Sequence, residues 1–248
     1  MEVTQLPSLT TKLPLNFKCC LIGSSGSGKS EFISKLIKYK DQVFQQPYDC
    51  FIYCSPNLGT HSSKHDLEFK RCLEAWSHPT KILFYNKVIE EEELLEIADS
   101  TDGRVLTFID DFSRESLASD LVYSLFTKFS THRSCDVCLS LHIGSSSSGK
   151  WYQAVHNNSS FIVLFRNISN RSSIGMISKA IFPYGENFLM RALNRSTDIL
   201  GCYSYVCIDT SLPNPLNNRF GVRSNIFCEQ NLPIIIFKNP SAYKSGVY

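Results

Sequence analysis

Gly23-Ser24-Ser25-Gly26-Ser27-Gly28-Lys29-Ser30 is the stretch on which the reading of this 248-residue chain turns. It fits the P-loop pattern of a glycine, any four residues, then glycine, lysine and serine or threonine. The apolar run Phe17-Lys18-Cys19-Cys20-Leu21-Ile22 enters it as a strand. Glu31-Phe32-Ile33-Ser34-Lys35-Leu36-Ile37 leaves it with apolar residues at helical spacing. Glycines permit the tight path, backbone N–H groups turn inward, and a helix N-terminus favours negative charge, so the segment predicts a phosphate site. Gly23, Ser24, Ser25, Gly26, Ser27, Gly28, Lys29 and Ser30 are the expected nucleotide-binding residues. Lys29 reaches the β- and γ-phosphates of ATP and the Ser30 hydroxyl ligates Mg²⁺.

Downstream, Arg104-Val105-Leu106-Thr107-Phe108-Ile109 leads into Asp110-Asp111. An apolar strand ending in two aspartates behind a P-loop is the Walker B pattern. Asp110 is the expected Mg²⁺ partner, and Asp111 the carboxylate that polarises the attacking water. Further strands are expected at 48–54, 82–85, 136–142, 159–165, 203–209 and 232–237. Helical stretches separate most of them, around 64–76, from Glu90–Glu93 through Ile97, at 117–129 and around 173–181. The acidic run Glu90 to Glu93 suits a helix N-terminus better than a metal site. Strands alternating with helices predict an α/β fold with a mostly parallel central sheet covered on both faces, both motifs lying at the carboxyl ends of its strands. The expected organisation is a flexible lead-in over 1–13, one ATPase domain over 14–237 and a tail over 238–248.

Composition is that of an ordinary globular chain, 43% hydrophobic and 19% charged with a net charge of +2, and excludes a uniformly basic nucleic-acid binder. DNA contact would come from local clusters or from several copies in a ring. Most of the 10 cysteines sit in apolar strand-like runs as small hydrophobes, and no signal peptide is evident, so a reducing compartment is expected. Cys135 and Cys138 have metal-ligand spacing, yet no second pair follows at a suitable distance. No apolar run reaches membrane-spanning length. Gly144-Ser145-Ser146-Ser147-Ser148-Gly149-Lys150 repeats the P-loop spacing but carries Trp151 where the hydroxyl should stand, and reads as a serine-rich loop.

From Asn16 to Phe227 the order of parts resembles the genome-packaging ATPases of the FtsK–HerA superfamily, the poxvirus-type enzymes of adintoviruses and Polinton (Maverick) elements. The resemblance is carried by Ile52-Tyr53-Cys54-Ser55, Phe108-Ile109-Asp110-Asp111, Leu125-Phe126-Thr127 and Ser130-Thr131-His132-Arg133. It continues through Asn157 or Asn158, Phe165-Arg166-Asn167, Tyr205-Val206-Cys207-Ile208-Asp209 and the segment Arg219 to Phe227. It implies an ATP-driven motor on double-stranded DNA, working as a homo-oligomeric ring with capsid or portal-vertex partners. It also implies a virus-encoded protein acting inside the host cell, in nucleus or cytoplasm, and in the virion.

The departures are specific. His142 stands where the family has a glutamine sensing the γ-phosphate. A neutral imidazole keeps one donor for that catalytic role, and a plain strand-end histidine is the alternative. Tyr152 replaces an arginine, and Ser169-Asn170 an arginine–aspartate pair, with Arg171 just beyond. Arg166, Arg171, Arg219 and Arg223 are the candidates for an arginine finger. Two other functions stay open: a small-molecule or nucleoside P-loop kinase, and a catalytically weakened nucleotide-binding structural subunit.

Overall fold

Residues 2–6, 12–13, 15–59, 62–101, 103–113, 120–142, 155, 157–166, 174–175, 177–179, 187–211, 221–227 and 234–238 are described by the computed structural model. The strands are β1 (Glu2–Leu6), β2 (Lys18–Gly23), β3 (Cys50–Cys54), β4 (Lys81–Tyr85), β5 (Val105–Ile109), β6 (Cys135–His142), β7 (Phe161–Phe165), β8 (Tyr205–Asp209), β9 (Gly221–Ser224) and β10 (Ile234–Lys238). They form one 10-stranded sheet in the order β1-β10-β9-β8-β7-β2-β6-β5-β3-β4. The block β4, β3, β5, β6, β2 and β7 runs parallel. The wing β8, β9, β10 and β1 is antiparallel.

The P-loop strand β2 lies between β6 and β7, and the Asp-Asp strand β5 lies one strand beyond β6. Parallel register brings Gly23 opposite His142 and Ile109 opposite Leu139. The carboxyl ends of β2, β5 and β6 therefore meet at one edge of the sheet, where α/β sheets form their clefts.

Each face of the sheet has its own apolar core. Helix α1 (Lys29–Lys38) follows the P-loop and buries Phe32, Ile33, Leu36 and Ile37 as a stripe. These pack with Phe17, Phe51, Phe108, Phe161, Phe165 and Phe227. The short α2 (Lys40–Val43) and α3 (Lys64–Ser77) add Val43 and Leu73 to the same face. On the other face, α4 (Glu91–Ser100), α5 (Asp120–Ser124) and α6 (Phe188–Leu200) bury Leu94, Leu121, Val122, Phe188, Leu189 and Leu193. Helix α5 continues through a π-helical segment, Leu125–Phe129, to Ser130–His132. Cys135 belongs to one core and Cys138 to the other, so the two thiols lie on opposite faces and do not share a ligand.

The amino-terminal ends of the parallel strands are tied by a polar cluster. Asp136 is wholly buried and accepts from the Tyr48 hydroxyl at 2.6 Å, the Ser130 hydroxyl at 2.8 Å and Arg104 Nη2 at 2.5 Å. Its charge is thus compensated from three elements, which removes the cost of an isolated buried carboxylate.

Glu2–Leu6, expected in a flexible lead-in, instead pairs antiparallel with β10 along its whole length. The last strand would otherwise present an unpaired edge, and its main-chain groups bind any segment that can extend beside them. The parallel block matches the expected mostly parallel sheet, to which the antiparallel wing is added. The tail beyond Lys238 and the serine-rich loop at 144–150 lie outside the described residues; of the helix expected around 173–181, residues 174–175 and 177–179 are described and are helical.

Candidate functional site

Between β2 and α1 the chain turns through Gly26 at φ 69° and Gly28 at φ 100°, left-handed conformations that favour glycine. Gly23 is required for a different reason, since a Cβ there would lie 2.4 Å from Ser27 Oγ and 2.9 Å from Phe165 Cβ. Gly28 occupies the N-cap of α1 and supplies no capping side chain, so a ligand can take the helix's first N–H groups. The Ser27 hydroxyl is buried without a partner among the described residues. Lys29 is only 6% exposed, and its ammonium donates to the carbonyls of Gly23 at 3.1 Å and Ser24 at 2.8 Å. Burial lowers its pKa, an effect opposed by the nearby carboxylates of Asp110 and Asp111. An anion in the loop would strengthen the charged form.

Asp110 and Asp111 follow β5 directly and take different environments. Asp110 is 2% exposed. Its Oδ2 accepts from the Tyr53 hydroxyl at 3.0 Å, whereas Oδ1 is buried with no partner among the described residues. A buried carboxylate oxygen left unpaired is costly, and a cation or its water shell would satisfy it. Ser30, at the start of α1, lines the same cleft as Asp110. The two residues fit a hard divalent cation such as Mg²⁺. Burial, followed by the Asp110 charge, pushes the Tyr53 hydroxyl well above its ordinary pKa, so it stays a donor.

Asp111 sits at φ 61°, which swings it out of the strand direction. Its Oδ1 lies 2.6 Å from His142 Nε2 at the end of β6, and its Oδ2 accepts from Asn57 Nδ2 at 3.2 Å. An ionised carboxylate only accepts, which puts the shared proton on His142 Nε2. His142 and Asp111, assigned separate roles from sequence, are thus one hydrogen-bonded unit. Asn57 had not been singled out, and Tyr53 had entered only through the family-like strand end. The turn signal Ser55-Pro56-Asn57 after an apolar strand was the available pointer, because loops at strand carboxyl ends face the cleft. A cleft of about 430 Å³ beside Ser30 and Asp110 is completed by Tyr53, Asn57, His65 and Asp66.

The arginine candidates separate. Arg223 is 6% exposed, contacts Asp209 at 3.5 Å and lies over the Phe161 ring at 5.6 Å. It is buried within its own subunit, which counts against it among the four arginine-finger candidates. Arg166 is exposed immediately after β7. Arg171, Arg219, Tyr152 and Ser169-Asn170 lie outside the described residues.

No protein-family model and no curated protein matches the chain. Among solved structures it is similar to the genome packaging NTPase B204 from Sulfolobus turreted icosahedral virus 2 in complex with AMPPCP, at 12% identity over 85% of this chain and 97% of that one, TM-score 0.49. The same protein with ATP-gammaS gives 12% identity, the same coverage and a TM-score of 0.44. A DnaB-like replicative helicase gives 11% identity over 87% of this chain and 59% of that one, TM-score 0.45. Likeness at this level transfers no residue roles. Among the described residues no helix is long and apolar enough to cross a membrane.

Proposed function

We propose that this chain is an ATP-hydrolysing motor that moves double-stranded viral DNA into a capsid. The observation that carries nucleotide hydrolysis is the meeting of three strand ends. They bring together the glycine loop with Lys29 and Ser30, the half-satisfied Asp110, and Asp111 held by His142 and Asn57. Lys29 and the loop N–H groups hold the triphosphate. Ser30 and Asp110 would hold Mg²⁺, which when bound neutralises phosphate charge. Asp111 orients the water that attacks the γ-phosphorus and accepts its proton, and His142 with Asn57 sets the direction of that carboxylate.

The DNA-packaging part of the proposal is supported by the ordered sequence blocks from Ile52-Tyr53-Cys54-Ser55 to the segment ending at Phe227. Copies of the chain would form a ring around the duplex, gripping phosphates in a salt-dependent and sequence-independent way. A neighbour's arginine would complete each site, and among the described residues Arg166 is the exposed candidate. Capsid or portal-vertex proteins are the remaining partners, in the host-cell interior and in the virion.

A second reading, a small-molecule or nucleoside kinase, draws on the cleft beside Ser30 and Asp110, which has room for an acceptor. One experiment separates the two: ATP turnover by the assembled oligomer with and without double-stranded DNA, alongside transfer of radiolabelled γ-phosphate to nucleosides. The motor reading expects DNA-stimulated release of inorganic phosphate that Lys29→Ala abolishes. Label on the nucleoside, with no effect of DNA, would establish the kinase.

A further inference from the structure

The two flanks of α1 differ in chemistry. One carries the polar cleft with Ser30, Asn57 and Asp110. The other opens into a cavity of about 280 Å³ walled by Phe32, Phe165, Tyr203 and Tyr205, with Gly28 at its throat and Glu31 and Lys35 at its rim. Gly28 joins this cavity to the P-loop. A Cβ on it would lie 3.8 Å from the Phe165 ring and 3.9 Å from the Tyr203 ring, so both rings stand at van der Waals range of the loop.

Three of the four aromatics are fixed. Phe32 packs edge-on against Phe165 at 5.9 Å and Tyr205 at 5.0 Å between ring centroids, and the Tyr205 hydroxyl accepts from the Ile226 N–H at 3.2 Å. Tyr203 differs: it sits in the turn between α6 and β8 and is 71% exposed. An exposed ring over an aromatic-lined cavity offers a flat face for another flat group.

We propose that this cavity is the base subsite, in which the base of a nucleoside triphosphate stacks on the exposed ring of Tyr203, with the buried Phe165 behind it. The inference rests on reading Gly23 to Ser30 as the triphosphate site. A triphosphate whose metal-binding end faces Asp110 leaves its other end on the Gly28 flank, where the aromatic cavity begins. Recognition there is by the face of the base. Every base has such a face, so stacking tolerates base identity. The substrate class is therefore nucleoside triphosphates without selection by base, ATP and GTP alike.

Equilibrium binding of MgATP, MgGTP and magnesium tripolyphosphate to the full chain tests this, using the parent protein, Tyr203→Ala, Tyr203→Phe and Lys29→Ala. The expected Kd values for ATP and GTP agree within about threefold in the parent, because stacking does not read the base edge. Tyr203→Ala weakens both nucleotides by roughly tenfold or more and leaves tripolyphosphate unchanged, whereas Tyr203→Phe retains the parent affinities. Unchanged nucleotide binding in Tyr203→Ala, equal losses with tripolyphosphate, or a strong preference for one purine would each overturn the proposal. Failure of the phosphate-site reading has a separate signature, tripolyphosphate binding that Lys29→Ala does not weaken.

Discussion

Asp111 shows how a single backbone angle sets up a site. Its positive φ directs the carboxylate away from the β5 axis, and His142 and Asn57 then hold one oxygen each. Asp110, one residue earlier, is buried under Tyr53 with one oxygen unpaired among the described residues. Adjacent carboxylates thus take different environments, which under the proposed function suit a cation at Asp110 and the attacking water at Asp111. A hydrogen bond to a charged group contributes about 1.5–3 kcal/mol, so loss of the His142 contact should lower kcat roughly 10- to 100-fold. His142→Ala is expected to show that loss with the nucleotide KM little changed, because the triphosphate is held by other groups. A rise in KM with normal kcat would instead assign His142 to ground-state phosphate binding.

At the scale of elements, α3 illustrates a helix begun by its own sequence. Ser63 Oγ accepts from the Asp66 N–H at 3.2 Å, and Asp66 Oδ2 accepts from the Ser63 N–H at 2.9 Å, a reciprocal capping box. The hydrogen bonds from Ser63 hold the Asp66 carboxyl below its ordinary pKa. Replacing Ser63 by alanine should cost about 1 kcal/mol, read as a lower Tm and denaturation midpoint. A neutral result would mean that tertiary packing alone starts this helix. Helix α6 is a different case. Its buried face is Phe188, Leu189, Ala192, Leu193 and Ser196. These positions recur at helical spacing, with Arg191, Asn194, Arg195 and Asp198 between them, so the helix was legible although the segment between Ile181 and Tyr203 carried no expected helix.

Across the whole molecule, the sheet buries cysteines in both cores, and burial raises their thiol pKa values. From an ordinary 9.0, Cys135 is pushed up to about 11 and Cys54 to about 12, and Cys20 and Cys207 are raised further. A raised folded-state value stabilises the fold fully below the unfolded thiol value, and the contribution is lost as pH climbs through the folded ones. Above pH 9 the unfolded chain binds fewer protons than the native one, so stability falls by about 1.4 kcal/mol per pH unit for each such thiol. Urea denaturation under reducing conditions should therefore show a steep loss of stability between about pH 9 and about pH 11. A flat profile there would place these thiols in water in the native state.

The P-loop was legible because its causes are local. An apolar strand, glycines at the turn and an amphipathic helix lie within consecutive residues, and each acts through backbone conformation or nearest neighbours. Asp110 and Asp111 were legible for the same reason, as acids at the end of an apolar run. Strand direction was not, because the period-2 pattern of a strand is the same in parallel and antiparallel pairs. Hence β8 runs antiparallel to β7 although α6 lies between them. Partner identity was equally hidden, since Tyr53 meets Asp110 across 57 positions, Asn57 meets Asp111 across 54 and His142 meets Asp111 across 31. The same holds for the burial of Arg223 on Asp209 and for Tyr203 beside Gly28. The sequence by itself determined that a glycine loop of P-loop spacing and two strand-end acids exist. Only the tertiary structure decided what those acids touch, because strand order and register bring together groups that no local pattern relates.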